Sequence, residues 1–171
     1  MGTKILFAYA SKAGSTAETA EAIGKELGSA GAEVDVLPIG KVKDLESYQA
    51  VVVGGAVRAG SWLGKGFVEK NKVLLSKVPV AYFLVCMTLC EDTPRKRAEA
   101  EKYLKPVCEI VKPIDEGHFA GKMDYSKLGF LARFVVKNMV KTPEGDFRNW
   151  DLISQWAKDL YPKINESLKQ T

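Results

Sequence analysis

Residues 4–30, KILFAYASKAGSTAETAEAIGKELGSA, change pattern twice within one short stretch. Ile5 to Tyr9 form a continuous apolar run that reads as a buried strand. Ser11-Lys12-Ala13-Gly14-Ser15-Thr16 is a small, hydroxyl-rich loop. From Thr16 onward, Ala17, Ala20, Ile23, Gly24 and Leu27 recur at three- and four-residue spacing, which predicts an amphipathic helix ending near Gly28 to Gly31. A strand that turns tightly into a helix aims several backbone N–H groups at one point, where the positive end of the helix dipole adds to them. Gly14 permits a left-handed backbone, and Ser11, Ser15 and Thr16 add hydroxyl donors. The stretch therefore predicts a phosphate-binding turn. A capping box between Ser15 and Glu18 is the competing reading, but it accounts for neither Ser11 nor Gly14.

Working outward, Val34, Val36 and Pro38 alternate with polar residues and suggest a more peripheral strand. Ala50 to Gly54 and Val80 to Val85 are apolar throughout, as strands covered on both faces are. Ile114 to Ala120 reads as a fifth strand. Helices are predicted over about 64–77, over about 94–111 (Thr93 as N-cap, Pro94 in the first turn, Pro106 as a possible kink), over 126–141, and from Trp150 to about Leu168 behind Asn149. Strands alternating with helices imply a single α/β domain over residues 1–171. It would be a three-layer sandwich with a parallel five-stranded sheet of order 2-1-3-4-5. Ligands of such sheets bind beyond the carboxyl ends of the strands, where the first and third lie side by side.

Three loops should converge there. The first is Ser11 to Thr16. The second, after strand three, is Gly54-Gly55-Ala56-Val57-Arg58-Ala59-Gly60-Ser61-Trp62; its glycines would let backbone approach a flat ring, and Trp62 would either stack on that ring or pack on its own helix. The third, Cys86-Met87-Thr88-Leu89-Cys90, would form the opposite wall. The three-glycine dinucleotide fingerprint and the Gly-Lys-Ser/Thr ending of a Walker loop are both missing from the first loop.

This arrangement resembles the flavodoxin-like FMN proteins over essentially the whole chain. More narrowly, Tyr48-Gln49-Ala50-Val51-Val52-Val53-Gly54-Gly55-Ala56-Val57-Arg58-Ala59-Gly60 is similar to the group containing the menaquinone-dependent protoporphyrinogen dehydrogenases. So are Ala120-Gly121-Lys122-Met123-Asp124-Tyr125 and Gly145-Asp146-Phe147-Arg148. The resemblance implies FMN as cofactor, held by the three loops, and an oxidoreductase linked to a quinone and to protoporphyrinogen or a related substrate of heme biosynthesis. A flavodoxin-type electron carrier between redox proteins is the alternative that the same residues allow. Ala13 stands where many flavodoxins carry threonine, one hydroxyl fewer around the phosphate.

Other chemistry is poorly supported. Three cysteines, an odd number in a chain of this size, predict reduced thiols in a cytoplasmic protein rather than a disulfide framework. Cys86 and Cys90 lack further metal ligands nearby, although Cys90 would lie close to a bound ring; His118, the only histidine, falls in a strand. No apolar run reaches the roughly 18–20 residues that span a bilayer, and no basic-then-apolar signal opens the chain. The net charge of +4 is modest, and no nucleic-acid partner is expected. The placement of the basic charge is more informative. Arg58, Arg95, Lys96, Arg97 and Lys122 fall on or beside the converging loops, either as solvated surface or as a positive rim for an anionic partner or the reduced flavin.

The predicted helix 126–141 has one stripe (Leu128, Leu131, Ala132, Val135, Val136, Met139) that reads as core. On the opposite arc Phe130 and Phe134 lie among Arg133, Lys137 and Lys141. That arc suits peripheral contact with the inner face of a membrane or a large apolar substrate; interior packing or a homodimer interface is the other reading.

Overall fold

Period-two alternation sorts the buried strand residues between two helical layers in the computed structural model, which describes residues 2–170. In chain order the elements are β1 (Lys4–Ala10), α1 (Ser15–Ser29), β2 (Glu33–Pro38), β3 (Ala50–Arg58), β4 (Ser61–Trp62), α2 (Lys65–Leu75), β5 (Val80–Cys86), α3 (Pro94–Cys108), β6 (Asp115–Ala120), β7 (Lys122–Met123), α4 (Phe130–Val135), β8 (Gly145–Asp146) and α5 (Trp150–Lys169). The parallel core runs β2-β1-β3-β5-β6, the expected five-stranded order once the two-residue strands are set aside. Ile5, Phe7, Val52, Phe83 and Phe119 pack toward α1 and α5, with Ile23, Leu27, Ile153 and Leu160. Leu6, Val51, Val53, Tyr82 and Leu84 pack toward α2 and α3, with Val68, Leu75, Leu104 and Val107. A slip of one residue in any strand would exchange these sets, so the register is strongly specified.

That register levels the strand ends. Ala10 pairs with Gly55, Ala56 with Val85, and Cys86 with Ala120. The segments leaving β1, β3 and β5 therefore emerge side by side. Helix capping follows the sequence signals: Thr93 accepts from the Lys96 N–H and Asn149 from the Leu152 N–H at 3.1 Å. α3 runs through Pro106 and stops at Cys108, short of the expected end.

The stretch 126–141 departs from expectation. It is not one helix: a 3-10 turn spans Tyr125–Lys127, Gly129 is extended at φ −61° and ψ 159°, α4 follows, and a π turn covers Val136–Val140. Asp124 spends its carboxylate on the Ser126 N–H at 2.9 Å, which closes the 3-10 turn, so the helix starts only at Phe130. The stripe read as core is also corrected. Leu131, Val135 and Met139 are exposed, and Leu128, Ala132 and Val136 only half-buried, because neither helical layer covers this excursion and the wider π turn rotates its face. Phe130 is 84% exposed and Phe134 57%, so the outward reading of those two rings stands.

Candidate functional site

Gly14 sits at φ +92° and ψ −19° directly before the first helical residue, Ser15. Its N–H donates to Ser11 Oγ at 3.0 Å and its carbonyl accepts from the Glu18 N–H at 3.1 Å, which fixes the loop against the helix start. The first-turn amides of α1 have no intrahelical acceptor and converge on the loop. Beside them Thr16 is 0% exposed, and its Oγ1 has no hydrogen-bond partner among the described residues. An unpaired buried hydroxyl costs about 1–3 kcal/mol, which a ligand oxygen at this turn would recover. The capping box does not form: Ser15 makes no cap bond, its carbonyl instead accepting the Thr19 hydroxyl at 2.8 Å, and Glu18 turns to Arg148.

Arg148 closes the far side of the site. Its guanidinium meets Glu18 at 2.6 Å and Asp146 at 2.7 Å, its side chain is 4% exposed, and it stacks over Trp150 at 4.6 Å. The antiparallel β7–β8 pair delivers it there. Hydrogen bonding to Arg148 is the leading cause that holds the carboxyls of Glu18 and Asp146 below their ordinary range. Both carboxylates are substantially exposed, so solvent discounts the interaction. Arg148→Met is expected to cost about 1–2 kcal/mol of stability at neutral pH. Because the folded carboxyls titrate lower than the unfolded ones, the difference between wild type and variant is full above the ordinary carboxylate range. It shrinks as pH falls through the lowered folded values. Chemical denaturation of both proteins across that range measures it.

The second loop is rebuilt by the structure. Ala59 (φ +49°) and Gly60 (φ +74°) make a two-residue mirror-image turn, and β4 folds back on β3 with Val57 opposite Trp62 and Arg58 opposite Ser61. Trp62 thereby points inward. It is 3% exposed, donates its indole N–H to the Phe83 carbonyl at 3.1 Å and meets Tyr82 edge-on, so it offers no face for stacking on a ring. Gly54 and Gly55 likewise serve packing rather than a ligand. A Cβ on Gly54 would fall 2.0 Å from the Phe83 ring, and one on Gly55 2.6 Å from the Trp62 indole nitrogen. What remains at the strand ends is half-buried Ala56 and Val57, then exposed Arg58, Ala59, Gly60 and Ser61. Across from them Met87, Thr88, Leu89 and Cys90 form a half-buried 3-10 turn, while Cys86 is buried and its thiol is pushed up to about 11 by burial.

The basic rim is thinner than its residue count. Arg97 pairs with Asp92 at 2.7 Å through its second nitrogen, and Lys96 lies 3.8 Å from Glu99; Arg58 and Arg95 form no ion pair among the described residues. His118 contacts Glu116 at 3.2 Å on the edge strand, away from the loops.

A flavodoxin domain model matches residues 6–149. The chain belongs to the flavodoxin domain family. Protoporphyrinogen IX dehydrogenase [quinone] of Escherichia coli strain K12 is 24% identical over 172 residues, covering 92% of this chain and 94% of that protein. A solved flavodoxin from the domain Archaea superposes with a TM-score of 0.58 at 18% identity, over 95% of this chain and 99% of that one. A flavoprotein from Lactobacillus acidophilus, solved in complex with FMN, gives a TM-score of 0.50 at 13% identity over 69% and 93% of the two chains. The cofactor of this family is FMN.

The residues of the Ser11–Thr16 loop fit that cofactor: the Thr16 hydroxyl is orphaned, and the first-turn amides of a helix lack intrahelical acceptors. Sequence reading missed Lys127, whose ammonium stands 3.8 Å from the point a Gly14 Cβ would occupy, and the clamping role of Arg148. No helix among the described residues is long and apolar enough to cross a membrane.

Proposed function

We propose that this chain is an FMN-dependent oxidoreductase that dehydrogenates protoporphyrinogen or a related substrate and passes the electrons to a quinone at a membrane surface. The phosphate belongs on Ser11, Lys12, Ala13, Gly14, Ser15 and Thr16. The ring belongs between Ala56–Ser61 and Met87–Cys90. When bound, FMN supplies the redox chemistry; the chain's residues bind it, orient it and exclude water, so no side chain need act as acid or base. Each dehydrogenation that removes a pair of hydrogens reduces one quinone to its quinol.

The observation that carries this reading is the outward ridge on the excursion between β6 and α5. Phe130, Leu131, Phe134, Met139 and Val140 are all exposed there, among Arg133, Lys137 and Lys141. A lipid-soluble acceptor requires its reductase to visit the bilayer surface, and an apolar ridge bordered by cations does so reversibly. The kinship with the Escherichia coli enzyme agrees with it.

Stopped-flow mixing of the holoprotein with a porphyrinogen, then with a menaquinone analogue, is the direct test. Flavin bleaching by the first and recovery with the second are expected. Reduction by ferredoxin-type donors with neither of those reactions would establish an electron carrier instead. Reversing the charge of Arg58 and Arg95 should flatten the salt dependence of reaction with an anionic acceptor, since exposed charges act over roughly 8 Å at physiological salt. An unchanged slope would make them ordinary solvated surface.

A further inference from the structure

The phosphate loop has a neighbour from far along the chain. Lys127 is the last residue of the 3-10 turn between β7 and α4, and its ammonium lies 3.8 Å from where a Gly14 Cβ would be. It forms no ion pair among the described residues. The turn that carries it is braced from several directions. Asp124 accepts from the Ser126 N–H at 2.9 Å, and the Tyr125 N–H donates to Glu144 at 3.1 Å. The Tyr125 hydroxyl donates to the Thr142 carbonyl, and Arg133 Nε donates to the Tyr125 carbonyl at 2.9 Å. These bonds fix the backbone from which the exposed Lys127 side chain reaches toward the loop. Its field, with that of Lys122, reaches the first turn of α1, where both contribute to lowering the Glu18 carboxyl. An unpaired cation held beside a glycine turn, free helix amides and an orphaned buried hydroxyl is half of an ion pair.

We infer that Lys127 is a ligand to the cofactor phosphate, supplied by the excursion, and that it couples the order of residues 125–140 to cofactor loading. This rests on the assignment of FMN to the Ser11–Thr16 loop. The coupling follows from connectivity. The carbonyl of Tyr125, the residue that opens the turn, accepts from Arg133 Nε, in the middle of α4. A phosphate dianion that draws Lys127 down therefore steadies the helix behind it. Without the phosphate, the turn keeps its own bonds but loses its attachment to the α1 loop. The exposed apolar ridge would then be presented in one orientation only by cofactor-loaded protein.

Titration of apoprotein with FMN and with riboflavin, which lacks the phosphate, isolates the contribution. Lys127→Gln is expected to weaken FMN binding roughly tenfold, a hydrogen bond to a charged group discounted for exposure. It should leave riboflavin binding unchanged, and Lys127→Arg should retain most of the FMN preference. Amide hydrogen exchange over residues 125–140 should slow on adding FMN to wild type, but not on adding riboflavin, and not on adding FMN to Lys127→Gln. Wild-type preference for FMN that survives Lys127→Gln intact would overturn the inference while leaving the phosphate loop standing. Equal weakening of both ligands would also overturn it, showing a lysine that only shapes the loop. Wild type that does not distinguish FMN from riboflavin would overturn the loop assignment itself, and this inference with it.

Discussion

Gly14→Val should lower FMN affinity by about thirtyfold while leaving the melting temperature nearly unchanged. Gly14 stands at φ +92°, and there is room beside it, since the nearest atom to an added Cβ is the Lys127 ammonium at 3.8 Å. The penalty is therefore conformational. Holding a β-branched residue in the left-handed region costs about 1–3 kcal/mol. In the apoprotein the short loop can relax, at the expense of its bond from Gly14 N–H to Ser11 Oγ. Binding requires the strained form again, so the cost appears in affinity rather than in folding. Isothermal titration with FMN and riboflavin reads it: FMN binding falls and riboflavin binding changes little. Equal loss of both would place the phosphate elsewhere.

Phe130→Ser combined with Phe134→Ser is expected to abolish sedimentation with anionic vesicles while FMN content and thermal stability stay normal. Burying both rings in the headgroup boundary contributes roughly 3–6 kcal/mol before ordering costs. Each nearby lysine or arginine adds about 1 kcal/mol on anionic lipid. Losing the rings leaves only the salt-sensitive part. Both side chains already face solvent, so the fold loses little packing with them. Wild-type protein that ignores vesicles but sediments as a dimer, with the double variant monomeric, would assign the ridge to a second copy of the chain. Loss of folding in the double variant would return the rings to structural packing.

The strand, the glycine turn and the helix of residues 4–29 were legible because they are contiguous, and a glycine followed by two hydroxyl residues is a local signal. Thr16 was legible as a donor, though its complete burial was not. The role of Gly54 was not legible, since the reason no side chain fits there is Phe83 on the neighbouring strand β5. Trp62 failed for a related reason: the β3–β4 hairpin turns it inward, and pairing register is set by the folded neighbours rather than by a loop's composition. Lys127 and Arg148 approach α1 from more than a hundred residues away, and spacing along a chain says nothing about that distance. The excursion shows the limit of periodicity. Its pattern placed Phe130 and Phe134 on an outward arc, as found, but marked the opposite stripe as core, and Leu131, Val135 and Met139 are exposed because neither helical layer lies opposite them.

The β7–β8 pair gives the excursion a closed neck. Residues 122 and 146 are partners in a two-stranded sheet of their own, so the segment departs and returns at nearly the same place. Closing a loop at its base makes the scaffold almost indifferent to what is threaded above, because the entropy of closure grows only slowly with length. The sheet, the Ser11–Thr16 loop and Arg148 lie on one side of that neck, while the Lys127 turn and the ridge lie on the other. With the Tyr125–Lys127 turn kept, the rest of the segment beyond the neck can therefore be lengthened, shortened or exchanged as a unit, without rebuilding a single core strand.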